Sequence, residues 1–279
     1  MLNVDDIKDQ LKVSDFLSKW EIEQSFDKLN WFIDRKRTHW MLWFWTPYPE
    51  IDKVTEWFIP WHVYTIWAYS NTGKSRFCYS YVNKFLQDGK SVIFFNLEVS
   101  KGIFLKNIIC NRYWVTSNDI MHAWCVKDDM MDDFKNLKVF DEVYMIDEIE
   151  QVVQFYKPDF VFIDFIQNVD TNNKSAYEKM SEIAKKIQRL AITIWSCVVS
   201  ISQLSNAVGK QLSCWDTDFI SLKGAGELYA SSDGIFILYR DWEELNLHIA
   251  KNKYWRAKIN FWIEPENWEQ SKFRLKPRY

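Results

Sequence analysis

Short apolar runs alternate with longer segments of helical periodicity along most of the chain. Short continuous apolar runs between polar or turn residues predict strands that are buried on both faces. They lie at 62–66, 91–97, 160–164, 197–202 and 234–239. Apolar residues at three- and four-residue spacing predict helices between the strands, at 75–86, 101–113, 147–156 and 177–194. The alternation predicts an α/β fold with a mostly parallel central sheet and helices on both faces.

Both ends of the chain depart from this alternation. Residues 245–250 and 258–263 flank a turn near Tyr254 and Trp255, which predicts a C-terminal β-hairpin. Residues 1–40 are mostly polar, lack glycine and space their apolar residues as a helix does. We therefore expect an N-terminal helical arm or linker over 1–40 and one core domain over 41–279, because forty residues are too few for an independent core.

Composition narrows the class of protein. The formal net charge of the 279 residues is −3, whereas proteins that bind nucleic acid over much of their surface usually carry an excess of basic residues. A ring that binds DNA only along its central channel can still be mildly acidic overall. No apolar run is long enough to predict a membrane span, and the N-terminus lacks the pattern of a secretory signal. Five cysteines without C-x-x-C spacing indicate thiols in a reducing compartment. The expectation is a cytoplasmic protein without membrane contact.

Tryptophan and glycine are present in unusual proportions. The chain has 16 tryptophans and only 7 glycines, whereas glycine averages about 7% of globular chains. Trp57 and Trp61 flank Pro60 at a predicted turn, Trp67 precedes a glycine-containing loop, and Trp255 lies at the predicted hairpin tip. Indoles fit such turns poorly. One hypothesis is that many of these positions are glycine in the organism, through a UGA codon read as glycine; the alternative is a genuinely Trp-rich protein.

The segment 68–75, Ala-Tyr-Ser-Asn-Thr-Gly-Lys-Ser, follows a predicted strand and opens a predicted helix. This is the G-x-x-x-x-G-K-[ST] phosphate loop with alanine in the first position. Backbone N–H groups and the helix N-terminus hold phosphate oxygens in such a loop, the lysine contacts the β- and γ-phosphates, and the serine hydroxyl ligates Mg²⁺. The sequence therefore predicts ATP and Mg²⁺ as ligands. The predicted nucleotide-binding residues are Ser70, Asn71, Thr72, Gly73, Lys74, Ser75 and Arg76. An indole at Trp67 is expected to crowd this loop and weaken nucleotide binding.

Three polar residues end predicted strands at the edge where ligands bind in open α/β sheets. Asp164 is predicted to associate with Mg²⁺, together with Ser75, although a lone aspartate there can also be a turn residue. Glu98 is predicted to be the general base that activates water, the alternative being a solvated strand end. Gln203 suits a sensor of the γ-phosphate, the alternative being a structural hydrogen bond.

Lys251 and Lys253 lie at the end of a predicted strand, before the hairpin turn. Two cations there are typical of a solvated face. The functional interpretation is that they reach the ATP of an adjacent subunit and neutralise charge in the transition state, as an arginine finger does.

Taken together and in order, these segments resemble the C-terminal ATPase domain of DnaB-type replicative helicases, within the RecA superfamily of P-loop NTPases. The resemblance covers about 45–262. Asn96-Leu97-Glu98 resembles the S-L-E that carries the family's glutamate, Ile163–Gln167 (IDFIQ) resembles I-D-Y-L-Q, and Ser202-Gln203-Leu204 resembles S-Q-L. The segment 250–255, AKNKYW, resembles the A-K-x-R-x-G finger hairpin. Lys253 departs from the usual arginine and lacks its planar fork. Tryptophan stands at most of the family's glycine positions.

The resemblance implies a RecA-like ATPase core over 41–279 that works as a hexameric ring on single-stranded DNA. The implied function is an ATP-dependent helicase or translocase that hydrolyses Mg-ATP at subunit interfaces. A RecA- or KaiC-like regulatory or recombination ATPase without unwinding activity is the alternative, and a non-enzymatic, nucleotide-gated assembly protein is a third interpretation. Glu98, Asp164 and Gln203 together argue against the third.

Overall fold

The computed structural model describes residues 44–55, 58–69, 72–122, 128–173, 175–204, 225–241, 244–253, 256–267 and 272–278. Residues Phe44–Tyr279 belong to one compact unit. The predicted arm at 1–40 lies outside the described residues, so the division between 1–40 and 41–279 stays a prediction.

A nine-stranded sheet forms the centre of this unit. In chain order the strands are β1 Val63–Ala68, β2 Val92–Asn96, β3 Leu137–Phe140, β4 Phe160–Asp164, β5 Cys197–Gln203, β6 Gly234–Asp241, β7 Glu244–Asn252, β8 Ile259–Asn267 and β9 Lys272–Arg278. Their order across the sheet is β3-β2-β4-β5-β1-β6-β7-β8-β9. The pairs from β3 to β6 are parallel, and β7, β8 and β9 continue the sheet in antiparallel pairs. The predicted mostly parallel sheet with a C-terminal hairpin is confirmed.

Helices cover both faces of the sheet, as the periodicity predicts. They are α1 Pro49–Thr55, α2 Lys74–Gln87, α3 Lys101–Tyr113, α4 Ser117–His122, α5 Asp128–Asp133, α6 Ile146–Tyr156, α7 Ala176–Ile194 and α8 Ala225–Ser231. The core on one face includes apolar residues of α1, α2 and α3. The core on the other face includes those of α6, α7 and α8. None of the described helices is both long and apolar enough to cross a bilayer.

Aromatic rings dominate the core beneath α2. The rings of Phe85 on α2 and Phe160 on β4 stack with centroids 3.6 Å apart, and Phe94 on β2 stacks on Phe162 of β4 at 5.5 Å. Stacked aromatic pairs stabilise beyond their buried area. This packing fixes α2 against β4, which ends in Asp164, and against β2, which ends near Glu98. The predicted phosphate loop leads directly into α2. The thiols of Cys78, Cys110 and Cys197 are also buried, as expected of small core residues.

Asp52 on α1 is a buried carboxyl group. Its Oδ1 accepts a hydrogen bond from the N–H of Thr46 at 3.0 Å, whereas its Oδ2 has no hydrogen-bond partner within the described part of the chain. Desolvation raises the pKa of Asp52 to about 6, and the bond from Thr46 opposes that rise. Because the folded-state pKa lies above the usual value, the folded state binds a proton between roughly pH 6 and pH 4 that the unfolded chain does not bind.

Asp52→Asn is therefore expected to stabilise the protein at pH 8, where burial of the charged carboxylate is unfavourable, by roughly 1–3 kcal/mol. The gain should shrink as the pH falls through 6 towards 4, because the parent then becomes neutral as well. Urea unfolding at pH 8 and pH 5 measures both differences. Glu178→Gln, at an exposed position on α7, is the control and should not reproduce the pH-dependent gain. A variant less stable than the parent at pH 8 would contradict the assignment.

Candidate active site

A cavity of about 530 Å³ opens at the carboxyl edge of the parallel strands. This edge is where open α/β sheets bind ligands. Residues from the phosphate loop, from α2 and α3 and from the ends of β2, β4, β5 and β6 line the cavity: Gly73, Lys74, Ser75, Arg76, Tyr79, Glu98, Val99, Asn107, Asp164, Gln203 and Arg240. The sequence-predicted residues from Gly73 to Arg76 therefore lie together with Glu98, Asp164 and Gln203.

The phosphate loop joins the end of β1 to the start of α2. Gly73 adopts φ 88° and ψ 21° directly before the helix, a left-handed conformation that favours glycine. The Thr72 hydroxyl donates to the carbonyl of Tyr69 at 2.7 Å, which closes the loop on itself. Thr72 is buried and braces the loop from within. Ser70 and Asn71 lie outside the described residues, and their predicted contacts with phosphate stay predictions.

Ser75 and Asp164 meet at the floor of the cavity. The Ser75 hydroxyl donates to Asp164 Oδ2 at 2.8 Å, and Asp164 is only 2% exposed. Desolvation raises the pKa of Asp164 to about 6, while the Ser75 bond and the charge of Lys74 lower it. Its Oδ1 has no hydrogen-bond partner among the residues that the structure describes. A hydroxyl oxygen beside a buried carboxylate with an open acceptor is a donor set that fits Mg²⁺.

Lys74 and Glu98 form an ion pair across the cavity. Lys74 Nζ lies 3.3 Å from Glu98 Oε2, and the Glu98 side chain is 37% exposed while that of Lys74 is 9% exposed. The backbone that carries Glu98 is held from behind, because the Asn168 side chain donates to the carbonyl of Leu97 at 2.8 Å. Glu98 therefore presents a partly exposed carboxylate to the cavity from a fixed strand end.

Gln203 ends β5 directly beside the phosphate loop. It is in register with Ala68, the last residue of β1. The side chain of Gln167 fixes its backbone: the Gln167 amide donates to the carbonyl of Gln203 at 3.0 Å and accepts from the N–H of Gln203 at 3.3 Å. The same amide group donates to the Ser202 hydroxyl at 2.8 Å. Gln167 is thus a positioning residue that the site prediction missed, although it stands three residues beyond Asp164 in the same motif.

Arg240 is a second residue that the site prediction missed. It lies near the end of β6, next to β1, and lines the cavity, as Arg76 does. The sequence offered one indication of it: Arg240 is a polar residue that directly follows the apolar run 234–239. Two arginines among the residues that line the cavity favour a polyanionic ligand.

Lys251 and Lys253 do not line this cavity. They lie at the amino end of β6, because Asn252 on antiparallel β7 is in register with Gly234. The length of β1, about 3.3 Å per residue, separates that end from the phosphate loop. Lys251 Nζ donates to the carbonyl of Tyr229 at 2.6 Å. Lys253 Nζ forms an ion pair with Asp233 Oδ1 at 2.8 Å. Neither lysine can reach the nucleotide site of its own chain from this position.

The expected crowding of the loop by Trp67 is wrong. Trp67 is 1% exposed and packs in the core on the face of α7 and α8, with its ring 6.3 Å from that of Tyr229. Alternation along β1 sends its side chain into the core, and the indole does not line the cavity.

Comparison with known proteins identifies the family. A sequence model described as the DnaB-like helicase C terminal domain matches residues 44–260. The chain belongs to this family. The resemblance drawn from the motifs is thereby confirmed.

One curated relative is a probable plasmid replicative DNA helicase of Chlamydia psittaci, 24% identical over 185 residues. The match covers 60% of this chain and 40% of that protein, so the chain spans less than half of the relative's length.

Solved structures share the fold. One of them, described as an ATPase domain, superposes with a TM-score of 0.74 at 19% identity, over 89% of this chain and 97% of that chain. A DnaB-like replicative helicase, described with its interactions with primase, gives the same TM-score and identity over 89% of this chain and 66% of that chain. A KaiC-like protein from Pyrococcus horikoshii gives 0.60 at 14% identity, over 83% and 97% of the two chains. The predicted RecA-like fold is confirmed.

Gln167→Ala is expected to lower the kcat of ATP hydrolysis by on the order of tenfold, because the lost hydrogen bonds free the backbone of Gln203. The KM for ATP should change less than kcat, since Lys74 and the loop remain. Steady-state kinetics separate the two constants. Gln151→Ala, the same substitution at an exposed position on α6, is the matched control. An unchanged kcat would show that the Gln167 clamp does not position the site.

Proposed function

We propose that this chain hydrolyses Mg-ATP and uses the energy as a helicase or translocase on nucleic acid. The observation that carries the proposal is that Lys74, Ser75, Asp164 and Glu98 line one cavity. Each brings a different group: a cation, a hydroxyl, a buried carboxylate and an exposed carboxylate. Phosphoryl transfer to water depends on positioning and on neutralising charge more than on covalent chemistry, and this set supplies both.

The roles follow from the positions. Lys74 neutralises the β- and γ-phosphates, and the loop amides beside Gly73 orient them. Ser75 and Asp164 would hold Mg²⁺, which supplies positive charge against the phosphate oxygens. Glu98 accepts a proton from water at its more exposed carboxylate. Gln203, whose backbone Gln167 holds, would hydrogen-bond the γ-phosphate.

Lys251 near the end of β7 and Lys253 just after it support action between subunits. Because Lys253 lies at the opposite end of β1 from the phosphate loop, a neighbour placed head to tail would bring its Lys253 to the first chain's nucleotide. Cations supplied in trans in this way stabilise charge in the transition state. The proposal is therefore a homo-oligomer with ATP at its interfaces, and the family favours a hexameric ring in the cytoplasm.

Single-stranded DNA is the proposed substrate of such a ring. The relative from Chlamydia psittaci is described as a replicative DNA helicase, and a net charge of −3 is compatible with DNA contacts confined to a central channel. A forked DNA tests this proposal. ATP-dependent strand displacement is the expected result, whereas ATPase activity stimulated by DNA without displacement would favour the regulatory or recombination ATPase.

Glu98→Gln is expected to lower kcat by roughly 10²–10⁴-fold, because the amide cannot accept a proton from water. ATP binding should persist, since Lys74 and the loop remain. Lys74→Ala should remove hydrolysis altogether. Phosphate release measures turnover, and a fluorescent ATP analogue measures binding. Glu142→Gln, at an exposed position outside the cavity, is the control. Normal turnover in Lys74→Ala would refute the site.

Mixing two inactive variants tests action in trans. Lys253→Gln leaves the nucleotide site intact, and Lys74→Ala leaves Lys251 and Lys253 intact, so each variant alone should lose roughly tenfold or more in turnover. An equimolar mixture should regain activity, because some interfaces then combine an intact nucleotide site with an intact Lys253. Lys253→Gln mixed with a Lys74→Ala/Lys253→Gln double variant is the control and should stay inactive. No recovery in the first mixture would argue against a shared site.

A further inference from the structure

Five non-glycine residues in the described part of the chain have a left-handed backbone, and three of them are tryptophans. φ is 59° at Trp61, 54° at Trp114 and 58° at Trp195. A Cβ atom in this region lies too close to the neighbouring carbonyl, so large side chains are rare there and glycine is favoured. The described ranges contain six tryptophans, at 45, 61, 67, 114, 195 and 262. Half of them therefore stand where the backbone favours glycine.

Trp61 occupies the third position of a tight turn. The N–H of His62 donates to the carbonyl of Ile59 at 3.3 Å, which makes Ile59 to His62 a four-residue turn with Pro60 second and Trp61 third. Proline at the second position and positive φ at the third are the pattern of a type II turn, whose third residue is typically glycine. This turn leads directly into β1.

Trp114 and Trp195 occupy the residue that ends a helix. Trp114 follows α3 with φ 54° and ψ 41°, and its N–H donates to the carbonyl of Cys110. Trp195 follows α7 with φ 58° and ψ 33°. Left-handed residues that end helices in this way are usually glycine. A glycine has this left-handed conformation just after α2, where Gly89 adopts φ 72°.

The three sites share no sequence motif, yet each independently favours the same residue. Composition agrees with them, since the chain has 16 tryptophans and 7 glycines. We propose that positions 61, 114 and 195 are glycine in the protein that its own cell makes. The means is a UGA codon, which some genetic codes translate as tryptophan and others as glycine. Backbone conformation points to glycine at each of these three positions.

Other tryptophans lack this backbone conformation. Trp67 lies in β1 and Trp262 in β8, and neither has a positive φ, so their backbone does not favour glycine. The ring of Trp262 also lies 5.3 Å from Lys276 Nζ. At such positions the codon in the gene decides which residue the cell inserts. A UGG codon encodes tryptophan, whereas a UGA codon would be translated as glycine in a cell whose genetic code reads it so.

Peptide mass spectrometry of the native protein tests the proposal directly. Peptides that span positions 61, 114 and 195 should each have the mass of the glycine form, and the gene should carry UGA at all three positions. Tryptophan at any of the three in the native protein, or a UGG codon there, would overturn the proposal. Neither result depends on the proposed ATPase or helicase activity.

A recombinant comparison tests the physical basis. Trp114 is 61% exposed, so its replacement removes little burial. Trp114→Gly should raise the thermal midpoint of the tryptophan form by roughly 2–4 °C, because glycine relieves the left-handed backbone. Trp114→Ala is the matched control and should gain less, since alanine keeps its Cβ. Trp262→Gly should lower the midpoint, because glycine weakens a strand. Equal midpoints for Trp114→Gly and Trp114→Ala would remove the structural support for glycine.

Discussion

Burial of the Asp164 carboxylate is the constraint on which the site depends. A buried charge is unfavourable unless a cation or hydrogen bonds compensate it. Here Ser75 donates to one oxygen at 2.8 Å, and the charge of Lys74 also favours the ionised form. Both partners lie in the first turn of α2. The start of α2, and with it the phosphate loop, is therefore held against the end of β4.

The short helical turn after Asp164 extends this constraint to the neighbouring strands. Ile166–Asn168 forms a 3-10 turn. The side chains of Gln167 and Asn168, which are consecutive in this turn, bind two different neighbouring strands. Gln167 holds the backbone of Gln203 on β5, and Asn168 holds the carbonyl of Leu97 beside Glu98 on β2. Glu98 and Gln203, the proposed base and sensor, are thus both tied to the short segment that follows Asp164.

The sequence predicted those parts of the fold and site that local pattern determines. The bounds of β4 were predicted correctly because its apolar run is continuous and buried, and the predicted bounds of α3 also match the structure. Strand β3 was missed because its four residues lie at the edge of the sheet and only Val139 is fully buried. Strand β9 alternates basic residues with apolar ones and contains Pro277, which is typical of an edge strand and weak as a signal. Gln167 was missed as a site residue because it acts through hydrogen bonds to the backbone of Gln203. That contact depends on β4 and β5 being neighbours in the sheet, which the sequence does not reveal.

The location of the lysines also required the topology. Sequence places Lys251 and Lys253 at a strand end, but only the antiparallel direction of β7 puts that end opposite the cavity. Asp233 holds this amino end together: its carboxylate accepts from Lys253 Nζ at 2.8 Å and from the N–H of Val63 at 3.0 Å. Val63 begins the strand whose other end carries the phosphate loop.

The candidate nucleotide site lies at the carboxyl edge of the sheet, whereas Lys251 and Lys253 lie at the opposite edge. In the proposed oligomer, a subunit that uses both edges would therefore meet its neighbours in head-to-tail contacts related by rotation. Such contacts generate rings when the rotation closes and filaments when it does not. In the proposed oligomer, the buried strand β1 would link the edge that faces a neighbour's nucleotide to the phosphate loop of its own subunit.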